Sequence, residues 1–249
     1  MKDIIRKNFE RASHTYNQYD GVQKKSSFYL ANKINSSCHN LNPSKTLDIG
    51  CGTGNLSQEL YKVFPKSNYH LNDISAAMLK EAAKQLENKT TPSLIHGDIE
   101  KISLQDNYDL IASNMCLQWA DNMDVILNTL QRHTKILAFS CLLENSFKEW
   151  YELLEEHDIK HASRSYPSQK KITSLITNSN KNMLHASCTS FTVSFANAKE
   201  TAKYLRSLGA NTPKSSNGNS EKTRNLLKSH DSPCKLIYNI GFFITKGVL

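Results

Sequence analysis

The chain reads as an α/β protein built on a doubly wound, mostly parallel sheet, and three observations point there. Short apolar runs alternate with helix-like segments over the first 145 residues. The first run enters a glycine-rich turn, LDIGCGTGNLSQEL, in which Gly50, Gly52 and Gly54 fall within five residues. Acidic or amide residues follow the next runs, at the strand ends where open α/β sheets bind their ligands.

The expected strands are residues 45–49, 67–71, 93–96, 108–113 and 135–141, with helices near 56–64, 75–87 and 122–133. The pattern then changes. Ser146 with Glu149 three residues on has the form of a capping box, and Phe147, Trp150, Tyr151 and Leu154 make one apolar helical face. A second helix is expected over about 169–178. Two strand-like runs, 187–195 and 235–245, flank a helix near 198–208, and NTPKSSNGNS (211–220) is loop by composition. The organisation expected is one domain over 1–249. It comprises an N-terminal helical arm (1–44), a ligand-binding core (45–142), a helical lid insertion (143–185) and closing elements (186–249).

A chain of 249 residues with 39% hydrophobic and 22% charged residues suits one large globular domain. No run approaches the roughly 18 apolar residues of a membrane span. The N-terminal residues are too polar for a secretory signal. The six cysteines are scattered without a CxxC, and no HExxH pair appears, so no metal is implied. Free thiols suit the reducing cytoplasm, the expected location. The formal charge of +8 is unevenly spread. Residues 1–45 carry eight Lys/Arg against three Asp/Glu, residues 46–159 nine against seventeen, and residues 160–249 fourteen against three. The basic ends suggest an anionic partner, with solvated lysine as the plainer alternative.

The glycine turn narrows the ligand. GxGxG lacks the third glycine of a dinucleotide GxGxxG, and no GK[ST] phosphate loop is present. Asp73, nineteen residues after Gly54, is placed to accept both hydroxyls of a ribose. Asp98 in HGDIE is placed for an exocyclic adenine amine, with Ile99 beside the ring, and Asn114 for the ligand's polar tail. Each also has a structural reading: Asp73 as a cap ahead of Ser75, Asp98 as a turn residue, Asn114 as a strand-end hydrogen bonder. Together they describe an adenosine without phosphates, which fits S-adenosylmethionine and neither NAD nor ATP.

LDIGCGTG, LND (71–73), GDIE (97–100) and the strand ending at Asn114 resemble the successive motifs of the class I S-adenosylmethionine-dependent methyltransferases. A narrower resemblance covers nearly the whole chain. FERASHTYNQYDGVQ, YDLIASNMCLQWADN, LRSLGANT and LIYNIGFFITKGV look like the malonyl-acyl-carrier-protein O-methyltransferases of biotin synthesis. That resemblance implies a seven-stranded sheet with the last strand antiparallel. It also implies esterification of a malonyl thioester's free carboxylate, giving the methyl ester that primes pimeloyl synthesis. One departure is visible: QRHTKILAFS lacks the Pro-Gly-Gly turn common before the fifth strand of many relatives, so that connection is expected to be tighter or irregular.

Carried onto this sequence, the resemblance implies a cofactor site of Arg11, Tyr16, Asp48, Gly50, Cys51, Gly52, Gly54, Asp73, Ile74, Met78, Asp98, Ile99, Asn114 and Gln118. No general base is expected, because a carboxylic acid with pKa near ~4 is already ionised at neutral pH. Positioning falls instead to Tyr16 and to Arg164 in HASRSYP, whose guanidinium fork suits a carboxylate. Trp119 is placed to wall the acyl pocket. The partner expected is an acidic carrier protein, docked through Lys170, Lys171, Lys203 and Arg206, with neither nucleic acid nor membrane involved. Other small carboxylates or quinone-like phenols remain alternative acceptors. RNA is disfavoured because Asn114-Met115-Cys116-Leu117 does not match [DN]PP[YFW].

Overall fold

A computed structural model describes residues 2–160, 165–177, 182–208 and 219–249. Five parallel strands form its centre: β1 (Lys45–Ile49), β2 (Asn68–Asp73), β3 (Ser93–His96), β4 (Tyr108–Asn114) and β5 (Thr134–Leu142). Two longer strands complete the sheet, β6 (Met183–Phe195) and β7 (Cys234–Lys246), in the order β3-β2-β1-β4-β5-β7-β6. Both pairings of β7 are antiparallel, so the last strand alone runs against the rest. This is the seven-stranded arrangement expected.

Helices α4 (Asn55–Val63), α5 (Ala76–Leu86) and α6 (Met123–Arg132) sit between the parallel strands. Local chemistry sets their starts. Ser75 accepts from the Met78 N–H at 3.3 Å, and Asn122 accepts from the Val125 N–H at 3.2 Å, each filling a donor left open by the first turn. Only His133 separates α6 from β5, so the connection lacking Pro-Gly-Gly is a tight one.

Alternate side chains of the strands feed two cores. Leu110, Ala112, Ile136 and Ala138 face one side, while Ile111, Leu137 and Phe139 face the other. The N-terminal arm comprises α1 (Lys2–Ala12), α2 (Tyr16–Tyr19) and α3 (Gly21–Ser37). On the first side lie α3, α4, α7 (Lys148–Glu156), α9 (Ala198–Ser207) and α10 (Asn219–Ser229); on the second lie α6 and α8 (Gln169–Thr177).

Several sequence expectations are corrected. Strand β2 runs to Asp73, and β6 begins at Met183 rather than at 187. Ser146 does not cap a helix: its hydroxyl donates to the Leu143 carbonyl at 2.7 Å, and α7 opens after Phe147, whose φ is +63°. The two helices after β5 do not make one covering layer. Trp150 and Leu154 of α7 pack on the first side, and Ile172 and Ile176 of α8 on the second. The chain changes side near Pro167, whose carbonyl accepts from the Glu144 N–H at 3.1 Å just past β5. Helix α10 replaces the end of the expected loop, whose residues 211–218 lie outside the described ones.

Candidate active site

The topological switch lies between β1 and β4, where the strand order reverses, and the glycine turn opens at the carboxyl end of β1. Gly50 has φ +62°, and a Cβ there would stand 2.0 Å from Cys116 Sγ, so only glycine lets the turn pass the β4 loop. Gly52 has φ +54° and open space over its Cα, which leaves a bare backbone face toward the cavity. Gly54 precedes α4 at its N-terminus, and the Cys51 N–H is used by the Asn72 carbonyl at 2.9 Å.

Two buried carboxylates hold this turn. Asp73 accepts from the Gly52 N–H at 2.9 Å through Oδ2 and from the Ser75 N–H at 2.8 Å through Oδ1. Burial pushes its pKa up to about 6 against those donors. It is therefore a cavity residue that also braces the backbone of Ser75, the cap of α5; its carboxylate retains lone pairs beyond the two used. Asp48 accepts from Ser57 Oγ at 2.5 Å, while its Oδ1 is buried without a partner. Burial raises its pKa to about 7, the Ser57 bond opposing and the Asp73 charge adding to the rise.

The far wall comes from β2 and β3. Asn72 Nδ2 donates to the Ile95 and Gly97 carbonyls at 2.9 and 3.0 Å, fixing the turn that carries Asp98 and Ile99. Ile74, Met78 and Ile99 give the cavity an apolar wall. Asp98 accepts from the Glu100 N–H at 3.1 Å and from Lys2 Nζ at 3.4 Å. Lys2 also pairs with Glu100. Burial lowers the Lys2 pKa, and the two carboxylates more than reverse it, leaving it raised overall.

The arm closes the near side. Tyr16 lines the cavity beside Phe9, which meets Trp119 edge-on at 5.6 Å. Burial raises the Tyr16 pKa, with the Asp20 and Asp73 charges adding to it. Thr53 Oγ1 donates to Asn17 Oδ1 at 2.6 Å, and Asn55 Nδ2 donates to Asp20 Oδ2 at 2.7 Å, so α2 is bonded directly to the glycine turn.

Some expected site residues stand elsewhere or have other work. Arg11 points outward, donating to the Lys7 carbonyl at 3.3 Å and to Asn8 Oδ1 at 2.6 Å, away from the cavity. Asn114 borders the cavity, but its amide is fully engaged. Its Oδ1 accepts from Ser26 and Ser140, each at 2.6 Å, and its Nδ2 donates to the Gln23 carbonyl and Ser27 at 3.2 and 3.0 Å. It clamps α3 to the sheet instead of offering a free group. Gln118 donates to the Met115 carbonyl at 2.7 Å, locking the loop that presents Trp119.

The residues lining the cavity include one cation, Lys2, already committed to carboxylates, and two acids, Asp73 and Asp98. Such a set of acceptors suits a ribose and an amine and repels a pyrophosphate.

Comparison with known proteins agrees. Residues 46–136 match the family described as "Methyltransferase domain". Malonyl-[acyl-carrier protein] O-methyltransferase of Neorickettsia risticii (strain Illinois) is 32% identical over 209 residues, 84% of this chain and 82% of the relative. Malonyl-[acyl-carrier protein] O-methyltransferase 1 of Ilyobacter polytropus is 32% identical over 236 residues, 92% of this chain and 85% of its own. The chain belongs to the malonyl-[acyl-carrier protein] O-methyltransferase family.

The fold is shared more widely. Magnesium protoporphyrin IX methyltransferase (ChlM) from Synechocystis, solved with bound SAH, superposes over the whole of both chains with a TM-score of 0.65 at 13% identity. In this family member, Arg164 and residues 209–212 of LRSLGANT lie outside the described residues. The four cations expected to dock a carrier do not form one patch: Lys170 and Lys171 belong to α8 on one side of the sheet, Lys203 and Arg206 to α9 on the other. Sequence reasoning missed Lys2, Phe9, Asn17, Asp20 and Asn55. Asn17 and Asp20 flank Tyr16 in the same YNQYD block, a polar pair spaced to meet the turn.

Proposed function

We propose that this chain transfers a methyl group from S-adenosylmethionine to the free carboxylate of malonyl-acyl carrier protein. The observation that carries this reading is family membership over more than four fifths of the chain, joined to a cavity whose acids and glycines suit a phosphate-free adenosine. The cofactor supplies an activated sulfonium methyl when bound. Asp73 is the acceptor for the ribose hydroxyls and Asp98 for the adenine amine, while Ile74, Met78 and Ile99 hold the ring between apolar surfaces. The bare backbone of Gly52 admits the donor close to the turn.

The acceptor carboxylate is ionised without help at neutral pH. What the protein adds is alignment of two reactants, which is worth several kcal/mol. Tyr16 closes the cavity on the arm side, and Arg164, by resemblance, holds the acceptor's carboxylate. Trp119 forms part of the wall that the acyl group meets. Placement of the docking cations on both sides of the sheet leaves α9, next to α2 and Tyr16, as the better approach for an acidic carrier.

The test is incubation with methyl-labelled S-adenosylmethionine and malonyl-carrier protein, in parallel with malonyl-CoA, free malonate and bulk tRNA. Base-labile label in the malonyl thioester supports the reading. Base-stable label in tRNA with none in the thioesters refutes it.

A further inference from the structure

Two tyrosine hydroxyls meet just beyond the carboxyl end of β5. Tyr238 donates to Tyr204 at 3.2 Å, and the two residues are 2% and 7% exposed. The register sets their place. Leu142, the last residue of β5, pairs with Ile240, so Tyr238 stands two residues past it, at the end of the sheet that carries the cavity. Tyr204 comes from α9 on the first side of the sheet.

Their surroundings are aromatic. Phe147 meets the Tyr238 ring edge-on at 4.6 Å, while Phe195 and Tyr19 lie 4.9 and 6.2 Å from the Tyr204 ring. The link to the cavity is Tyr16, which lines it. Tyr19 closes the short helix that Tyr16 opens, so its contact with the Tyr204 ring sets the pair against the arm segment that lines the cavity.

A count of protons gives the pair its meaning. Two phenols carry two hydrogen-bond donors, and their mutual bond uses one. Among the described residues no acceptor meets the other, the hydroxyl proton of Tyr204. Leaving a buried donor unmet costs about 1–3 kcal/mol, so the pair has one hydrogen bond to offer an arriving acceptor. Burial also raises the pKa of both hydroxyls, which keeps them neutral donors toward an anion.

We propose that Tyr204 and Tyr238 form a hydrogen-bonding wall of the acceptor site, donating to an oxygen of the carboxylate that receives the methyl group. This rests on the reading of the chain as a carboxyl methyltransferase and assigns residues to the acceptor half of that site. A neutral phenol donor suits the task. It orients the anion without setting a full positive charge beside it, and so leaves the attacking oxygen more nucleophilic than an ion pair would. It also selects: an acyl group ending in a methyl offers the pair nothing to bond.

The test compares Tyr204→Phe and Tyr238→Phe with the wild type, using malonyl- and acetyl-carrier protein in the presence of saturating S-adenosylhomocysteine. Tyr204→Phe is expected to weaken binding of the malonyl form about tenfold and to raise its KM in turnover to match. Binding of the acetyl form and of S-adenosylhomocysteine is expected to stay within about twofold. Equal weakening of both thioesters, or no change in either, overturns the assignment. Should a variant fail to fold, the wild type decides through its 13Cζ-labelled tyrosine resonances. Those of Tyr204 and Tyr238 should move with the malonyl form and stay with the acetyl form; resonances indifferent to malonyl overturn the proposal. Wild-type turnover of malonyl-carrier protein with unaltered discrimination in the variants sinks the tyrosine assignment alone. A wild type that methylates no malonyl thioester sinks the functional reading with it.

Discussion

The Gly52 N–H donates to Asp73 Oδ2 at 2.9 Å, joining the glycine turn after β1 to the last residue of β2. One bond thus ties the turn to the end of the neighbouring strand at the rim of the cavity. Because Asp73 is buried, the same carboxylate has its pKa lifted to about 6. A ribose donating two hydroxyls to it favours the ionised form, so binding expels the proton. Cofactor affinity is therefore expected to fall as pH drops below about 6 and to level off above 7. Titration calorimetry with S-adenosylhomocysteine between pH 5 and 8 reads this directly. Asp73→Asn should weaken binding about 10- to 100-fold at pH 7.5 and flatten the profile.

Asp48 gives a different pH signature, in stability. Its folded pKa of about 7 lies above the ordinary carboxylate value of 3.8, because burial outweighs the Ser57 bond. The native state then holds the proton more tightly than the unfolded chain. Its contribution is full below about pH 4 and is lost as pH rises through 7. Asp48→Asn, which keeps an acceptor for Ser57, should gain on the wild type by a few kcal/mol between pH 5 and 8 in urea unfolding. A constant difference across that range contradicts the assignment.

How much of this was legible in the sequence depends on where apolar periodicity survives. Strands β1 and β3 lie where their short runs place them, and Asp73 and Asp98 stand at the ends expected. The arm was harder to read because α3 buries Gln23, Ser26 and Ser27 among its apolar residues to reach Asn114, and that blurs the helical period. Helix α10 hid for the opposite reason: among its described side chains Leu226 is buried in the apolar core and Leu227 packs partly against it, while the rest are polar, so composition alone resembles a loop. Arg11 was misplaced because the chain turns between Ala12 and Thr15, which sends residue 11 outward and Tyr16 inward. Pairing geometry, not residue type, decides such cases.

The arm's seat is expected to control cofactor exchange. Thr53→Val removes the 2.6 Å bond to Asn17 while keeping the side chain's volume. Loss of a buried hydroxyl bond leaves Asn17 Oδ1 short of a donor, a penalty of about 1–2 kcal/mol. Amide exchange over residues 2–20 should quicken, and S-adenosylhomocysteine should dissociate about 5- to 30-fold faster in stopped flow. Unchanged exchange in that segment would show that the Asn55–Asp20 bond suffices to hold α2.

Gly50 tests the close approach itself. Alanine there meets two separate obstacles: a Cβ 2.0 Å from Cys116 Sγ, and a φ of +62° that a side chain disfavours by about 1–2 kcal/mol. Trimming the neighbour separates them. Gly50→Ala alone should lose folded protein or melt far below the wild type. Adding Cys116→Gly removes both the sulfur and the Cβ, which would otherwise lie 2.5 Å away, and leaves only the backbone term. The double variant should therefore recover most of the lost melting temperature relative to Cys116→Gly alone. A double variant no better than Gly50→Ala would mean that backbone conformation, not the approach of the β4 loop, dictates glycine at this position.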